Sequence, residues 1–394
     1  MRVRDAAIAS GTMDPSDPRV EGFSRNLVKL GEHTWGNNEG SLFYINYTNV
    51  FFDQHYSSSI FQSPLSSFVD QRKYITTALS LLKDHPILPT MVKAMKESDP
   101  FPRSWAGYVP VQVRQPISCG GDVNVWIDEN ATLKLQAFNG KSIELASLYY
   151  ITHNEADFVN FIRNYSLAYM RDDHTNIGFD KYGLDSSGGI HSETQAVIES
   201  MGVRRSEGTS YCDVMANLSW PLSLQRNFGA PSSIILALTV NASSPSEGIE
   251  INMDLQWEGK RPTRMAESIW LTMASGADRC GGVWQLHKLG SWISPYDVVI
   301  NGSRNTHGVD EGVRLLDKYG TVAVDVGSYD VAVVATTERS PVVFSMEKDY
   351  VNTSQGIHFS LFNNAWNTNY PVWSQDPSDR FRFRLKIYPS FCKE

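Results

Sequence analysis

Apolar positions in the first hundred residues recur at helical spacing. Asp17-Pro18 places an acceptor at the N-cap and proline at the first helical position. Val20, Phe23, Leu27 and Leu30 then follow three or four residues apart on one stripe, which predicts a helix ending near Gly31. A second helix is expected after Ser63-Pro64, with Phe68, Ile75, Leu79 and Leu82 on one face and Pro86 as its stop. Between them, residues 37–62 are rich in Asn, Tyr, Phe and Ser and keep no clear period, so an irregular or partly helical stretch is expected. A short third helix is expected around 89–97.

After Pro100 the period changes from helical to alternating. Val123, Val125 and Ile127 alternate with polar residues, and Asn139-Gly140 within 133–145 is a strong hairpin signal. Ile249, Ile251, Met253, Leu255 and Trp257 alternate with Glu250, Asn252, Asp254 and Gln256, which predicts a strand with one wet face. Phe381, Phe383, Leu385 and Ile387 alternate with Arg382, Arg384 and Lys386 in a half-buried closing strand. One helix is expected to interrupt at 155–170, with Phe158, Phe161, Ile162 and Tyr165 on one side. The pattern predicts a mainly β fold with an N-terminal helical segment: 1–100 helical and bundle-like, 101–394 a large antiparallel β-sandwich region. That region is long enough for one very large sandwich or two sequential ones.

Composition narrows the function classes. The 394 residues are 41% hydrophobic and 20% charged, as in a folded globular protein and unlike a disordered one. No apolar run approaches the ~20 residues of a membrane span. The net charge of −8, without any Lys/Arg block, argues against a nucleic-acid partner. Ten Trp and seventeen Tyr suit large β-rich proteins and carbohydrate-handling surfaces.

Cys119, Cys212, Cys280 and Cys392 make no CxxC motif. Two disulfides are compatible with them, spacing cannot assign a pairing, and free buried thiols are the simpler reading. Sequons at Asn46, Asn130, Asn164, Asn217, Asn241, Asn301 and Asn352 point toward a secretory or extracellular glycoprotein. The N-terminus carries no apolar core of signal-peptide length, and one resolution of that conflict is that the real beginning of the chain lies upstream.

Nucleotide, Rossmann, zincin and α/β-hydrolase signatures are absent. Four segments offer chemistry. Glu32-His33-Thr34-Trp35-Gly36, at the end of the first helix, combines an acid, an imidazole and an indole. His33 suits a metal and Glu32 a sugar hydroxyl, whereas the structural reading is a helix end with a core Trp. The run from Phe362 to Trp373 offers Asn363, Asn364, Trp366 and Asn369. Amides read sugar hydroxyls as donor and acceptor, and aromatic faces cover pyranose C–H patches; the same residues also suit an ordered loop. Asp172-Asp173-His174 with Asp180, Asp185, His191 and Glu193 resembles hard metal ligands but reads best as a solvated loop. His287, Arg304, His307, Asp310 and Glu311 read best as structural.

Several segments taken together carry a family resemblance. They are Trp270-Leu271, Trp284-Gln285-Leu286-His287-Lys288-Leu289-Gly290, Trp292-Ile293-Ser294-Pro295, Asp297-Val298-Val299, Asn301-Gly302-Ser303-Arg304 and His307-Gly308-Val309-Asp310. They resemble the C-terminal half of the DUF5054 family, whose members are similar to glycoside hydrolase family 38, the α-mannosidases. The resemblance spans about residues 18–387, with Glu32–Gly36, Phe179–Leu184 and Asn363–Trp373 in the same order, and is most specific over 270–373. It implies an N-terminal (β/α) barrel, a helical bundle and then large sandwiches. Zinc and a nucleophilic Asp lie largely on the barrel, with one further His ligand from the helical part. By position His33 is the candidate ligand, with Glu32 and Trp35 around it; the surrounding residues do not reproduce the family's His-His-Asp pattern.

A barrel needs roughly 200 residues or more, and the 17 residues before residue 18 leave no room for one. The resemblance therefore implies the rear portion of a family-38-like glycoside hydrolase, acting on carbohydrate but inactive alone. Its catalytic residues are not assigned, zinc is expected only when a missing N-terminal catalytic domain completes the site, and Asn363, Asn364, Trp366 and Asn369 shape the sugar site. The alternative is a non-catalytic carbohydrate-binding protein.

Overall fold

The computed structural model describes residues 1–32, 46–120, 122–137, 140–161, 181, 183–205, 211–243, 247–277, 281–299, 304–329, 333–340, 351–365, 373 and 376–391. Helices α1 (Arg2–Ala9), α2 (Pro18–Glu32), α3 (Asn49–His55), α4 (Ser59–Leu81) and α5 (Leu88–Lys96) come first. The stripe read in α2 is the stripe it buries: Val20 and Phe23 pack with Ala78, Leu82 and Met91, and Leu27 leans on the same cluster. Helix α4 begins a turn before Ser63-Pro64, so Pro64 lies inside it and not at its start. Within 37–62, α3 is a distinct helix, its N-cap Thr48 accepting a hydrogen bond from the Phe51 N–H at 3.3 Å.

Strands follow: β1 (Val109–Pro110), β2 (Ile117–Ser118), β3 (Asn124–Ile127), β4 (Leu133–Ala137) and β5 (Lys141–Thr152). Helix α6 (Glu155–Phe161) covers the start of the expected 155–170 helix; 162–180 lie outside the described residues. Then come β6 (Ser192–Gln195), β7 (Val197–Arg205), β8 (Tyr211–Ser219), helix α7 (Leu222–Asn227), β9 (Ser233–Asn241), β10 (Ile249–Glu258) and β11 (Glu267–Ser275). The chain continues with β12 (Val283–Lys288), β13 (Ser291–Ile293), β14 (Thr306–Gly308), β15 (Gly312–Leu316), β16 (Val322–Ser328), β17 (Val333–Ala335), β18 (Ile357–Asn363) and β19 (Asp379–Ile387). The expected hairpin forms, with Ala137 of β4 opposite Lys141 of β5.

Two antiparallel sheets stack into a β-sandwich. The ten-stranded sheet has the order β1-β7-β8-β9-β10-β19-β16-β15-β12-β13. The nine-stranded sheet has the order β14-β17-β18-β11-β5-β4-β3-β2, with β6 also pairing β5. The alternation read in β10 and β19 sends Ile251, Met253, Leu255, Phe383 and Leu385 into the space between the sheets. On the expected wet face of β10, Gln256 is buried instead, because its amide donates to the Phe101 carbonyl at 2.8 Å.

Two devices fasten the assembly. Cys119, just after β2, and Cys212 on β8 form a disulfide joining the two sheets, with Cα atoms 5.2 Å apart. Free buried thiols are therefore not the state of these two cysteines. Cys280 and Cys392 lie outside the described residues. Second, Trp373 sits with its ring 5.7 Å from Phe52, 5.5 Å from Phe61 and 6.3 Å from Phe68, in edge contacts that tie α3 and α4 to the chain before β19.

Candidate functional site

The face of the nine-stranded sheet turned away from the core carries the polar chemistry. In β11, Ile269, Leu271 and Met273 belong to the core, so Ser268, Trp270 and Thr272 project to the other side. Pairing register then places three rows on this outer face. Glu193, Ile151, Ser268 and Asn363 form one; Gln195, Tyr149, Trp270 and Ser360 the next; Ser147, Thr272, His358 and Ala335 the third. Ile151, Trp270 and Ala335 make a small buried apolar cluster with Tyr149 among these polar neighbours.

Arg339 lies across the rows. Its guanidinium sits 4.1 Å from the Tyr149 ring centre, donates to Glu193 at 2.8 Å and reaches Gln355 at 3.3 Å. Burial, reinforced by the Arg339 charge, pushes His358 down to about 3, so this imidazole is neutral across the physiological range. Beside Arg339 opens a polar cavity of about 330 Å³, lined by Asp128, Asn130, Thr132, Lys134, Glu144, Ser147, Tyr149, Gln195 and Gln355 among others. Lys134 holds two carboxylates there, Asp128 at 3.0 Å and Glu144 at 3.5 Å. Its hydrogen bond to Asp128 raises the ammonium above its ordinary value, against the opposing effect of burial. Asp128 also accepts the N–H groups of Asn130 and Thr132, each at 3.0 Å.

At one end of the first row, beyond the β5–β6 ladder, stand His153, Asp157 and His191. Their ligand atoms all lie within 4.8 Å of one another. Asp157 and Asn154 cap α6 reciprocally: the Asn154 N–H donates to Asp157 Oδ2 at 3.0 Å and the Asp157 N–H to Asn154 Oδ1 at 3.2 Å. Burial works to raise the Asp157 carboxyl, but hydrogen bonds from His153, His191 and the Asn154 N–H outweigh it and hold it at about 2. Burial lowers His153, against the pull of Asp157.

A third polar centre is fully internal. Lys260 Nζ is 2.6 Å from Glu267 Oε1, and both side chains have zero exposure. The Tyr150 hydroxyl also donates to Glu267. Burial pushes Lys260 well down and Glu267 well up.

The sequence-predicted residues divide across these places. Asn363 ends β18 opposite Ser268, on the outer face. Asn364 turns inward: its Oδ1 accepts the Glu267 N–H at 2.8 Å, and its Nδ2 donates to the Thr263 carbonyl at 3.2 Å and to Glu267 at 3.3 Å. Glu32 is the last residue of α2. His33, Trp35, Trp366 and Asn369 lie outside the described residues, as do Asp172, Asp173, His174 and Asp180. His191 and Glu193 join the outer face, while Asp185 accepts the Glu155 N–H at 2.8 Å. The other histidine cluster separates: His287 pairs with Asp310, whereas His307 binds the Arg304 carbonyl at 2.7 Å. His153 and Asp157 carried a faint signal, a His and an Asp four residues apart at a strand-to-helix junction.

A family model for a domain of unknown function, DUF5054, matches residues 1–247. No curated protein matches the chain in sequence. Solved structures with some likeness include a galactose mutarotase-like protein from Clostridium acetobutylicum, 9% identical, covering 68% of this chain and 92% of that one at a TM-score of 0.36. A protein from Synechocystis sp. PCC 6803 is 9% identical, with coverages of 74% and 100% and a TM-score of 0.35. A galactose mutarotase related enzyme from Lactobacillus acidophilus is also 9% identical, with coverages of 71% and 97% and a TM-score of 0.30.

Proposed function

We propose, from the premise that the chain belongs to the DUF5054 family, that it binds carbohydrate on the outer face of its nine-stranded sheet. The observation that carries this reading is the polar cavity beside Arg339. Its volume of about 330 Å³ lies at the small end of the roughly 300–1,000 Å³ typical of small-molecule sites. That suits a sugar unit better than an extended polymer. The lining supplies paired donors and acceptors from Gln195, Gln355, Asn130 and Ser147, charges from Lys134 and Glu144, and an aromatic wall from Tyr149. Sugar hydroxyls, each both donor and acceptor, match such a lining.

The same geometry favours binding over hydrolysis. Glycosidic cleavage needs one carboxyl held protonated as general acid beside a second carboxylate. Here one ammonium, that of Lys134, contacts both Asp128 and Glu144, so neither carboxyl stands apart from a cation as an acid facing the cavity. The finer reading is that the chain is the rear portion of a family-38-like glycoside hydrolase, silent alone. It rests on the resemblance over 270–373. In that assembly Asn363, Trp366 and Asn369 would form a sugar-facing wall, with Asn364 bracing it from inside through Glu267, and His33, with Glu32 and Trp35 beside it, would supply a zinc ligand. Passage through a secretory compartment is proposed with it, supported by the Cys119–Cys212 disulfide and the sequons. Among the described residues no helix is long and apolar enough to cross a membrane.

The test is glycan-array screening of the full chain, followed by calorimetric titration of the best hit. Arg339→Ala and Glu144→Gln should each weaken binding at least tenfold while the circular dichroism spectrum stays unchanged. Aryl-mannosides should remain uncleaved. Binding indifferent to both substitutions would refute the assignment of the cavity. Saturable hydrolysis by the isolated chain would refute its catalytic silence.

A further inference from the structure

His153, Asp157 and His191 come from three separate segments and converge on one point. His153 follows β5, Asp157 lies in the first turn of α6, and His191 precedes β6. Asp157 Oδ2 is 2.9 Å from His191 Nδ1 and 3.5 Å from His153 Nδ1. Around a tetrahedral zinc with bonds of about 2.0–2.1 Å, adjacent ligand atoms sit about 3.3 Å apart. The two spacings to Asp157 bracket that value, and the two imidazoles present their nitrogens within 4.8 Å of each other. We propose that these three side chains form a binding site for a divalent transition-metal ion, with zinc the best fit.

Two features beyond the cluster itself support this. The first is the support behind His153. Its Nε2 lies 3.0 Å from Ser268 Oγ, and Ser268 Oγ in turn accepts the Trp270 indole N–H at 2.9 Å. A metal-binding imidazole characteristically has its second nitrogen held this way, which fixes the ring and leaves the other nitrogen free to ligate. His153 is only 2% exposed, so the orientation is built into the sheet and is not a surface accident.

The second is the open side. His191 has a side-chain exposure of 52%, so the fourth position faces solvent. Two imidazoles and one carboxylate with an open position form the donor set of catalytic and ligand-accepting zinc sites, not of closed structural ones.

The site lies on the same sheet face as the sugar cavity but stands independently of it. None of its three residues lines that cavity. Its natural role would be to hold an oxygen ligand, water or a vicinal pair of hydroxyls, at the open position.

The test uses the full chain stripped with chelator and then dialysed against zinc, with bound metal measured by elemental analysis. One zinc per chain is expected. His191→Gln and Asp157→Asn should each lower zinc affinity at least tenfold. Asp157→Asn retains an oxygen to accept the Asn154 N–H, so the α6 cap survives and loss of fold does not confuse the result. Zinc should raise the thermal midpoint of the wild-type chain and not that of His191→Gln. Replacing zinc with cobalt(II) should give the intense visible absorption of a low-coordinate site, and neither variant should show it. Zinc uptake that is absent in the folded chain, or undiminished in both variants, would overturn the proposal. Sugar binding that fails while zinc uptake follows these variants would refute the cavity alone.

Discussion

Replacing Lys260 by Met removes an ammonium from the interior and keeps most of its apolar volume. Glu267 is then a carboxyl without a counter-charge at zero exposure, in a place where burial holds it well above its ordinary value. The folded variant keeps the proton, whereas the unfolded chain releases it above about pH 4.3. An acid with a raised folded-state pKa contributes its full stability below the unfolded value and loses it as pH rises toward the folded one. Each pH unit is worth about 1.4 kcal/mol. Above about pH 4.3 the variant should therefore lose up to about 1.4 kcal/mol for each pH unit over which folded Glu267 keeps its proton. Breaking a buried pair from one side is itself expected to cost roughly 3–5 kcal/mol.

The wild-type pair should add almost no slope over this window. Folded or unfolded, Lys260 and Glu267 together carry one proton, so folding exchanges none with solvent. Urea unfolding from about pH 5 to 8 distinguishes the cases. Lys260→Met should lose stability steeply with pH, and Lys260→Met/Glu267→Gln should not. Asp379, whose carboxyl burial raises to about 6, acts on both variants alike and cancels in their comparison. Parallel profiles for the two variants would refute the claim that Glu267 is held protonated when its partner is gone.

Three further outcomes are expected. Closing a 93-residue separation, the Cys119–Cys212 link should contribute about 4–5 kcal/mol by chain entropy. Cys119→Ala/Cys212→Ala should show that loss in urea unfolding, and a change under 1 kcal/mol would contradict it. Trp373→Ala should cost about 3–5 kcal/mol and release α3 and α4, read as a rise in their amide hydrogen exchange. Gly312 has φ +129°, and an added Cβ would lie 2.0 Å from the Val326 carbonyl oxygen. Gly312→Ala should therefore lower stability by about 1–3 kcal/mol or more, with thermal unfolding as the check.

Periodicity made the long elements legible. The α2 stripe and the alternation in β10 and β19 depend on spacing within one segment, and local spacing is what a sequence displays. The outer-face site was less visible because it is made by register. Glu193, Ile151, Ser268 and Asn363 share a row only after β6, β5, β11 and β18 pair. Among the residues singled out in advance, His191, Glu193 and Asn363 reach that face. Asn364, one residue beyond Asn363, turns inward to Glu267, because consecutive residues leave an extended strand on opposite sides. His153 carries little signal in the sequence because its partners are Asp157 in a helix turn and His191 in the segment before a later strand. Pairing of the four cysteines was equally unreadable, since Cys119 and Cys212 meet only across the stacked sheets.

The position of β19 has a consequence for biosynthesis. This last strand lies between β10 and β16 in the ten-stranded sheet. Until β19 has emerged from the ribosome, the described strands made before it stand as two separate half-sheets with bare hydrogen-bonding edges facing each other. Joining the two halves of the sheet waits for the synthesis of this strand. During that interval the nascent protein is most exposed to mispairing with its neighbours, and holdase chaperones would have their longest opportunity to engage it.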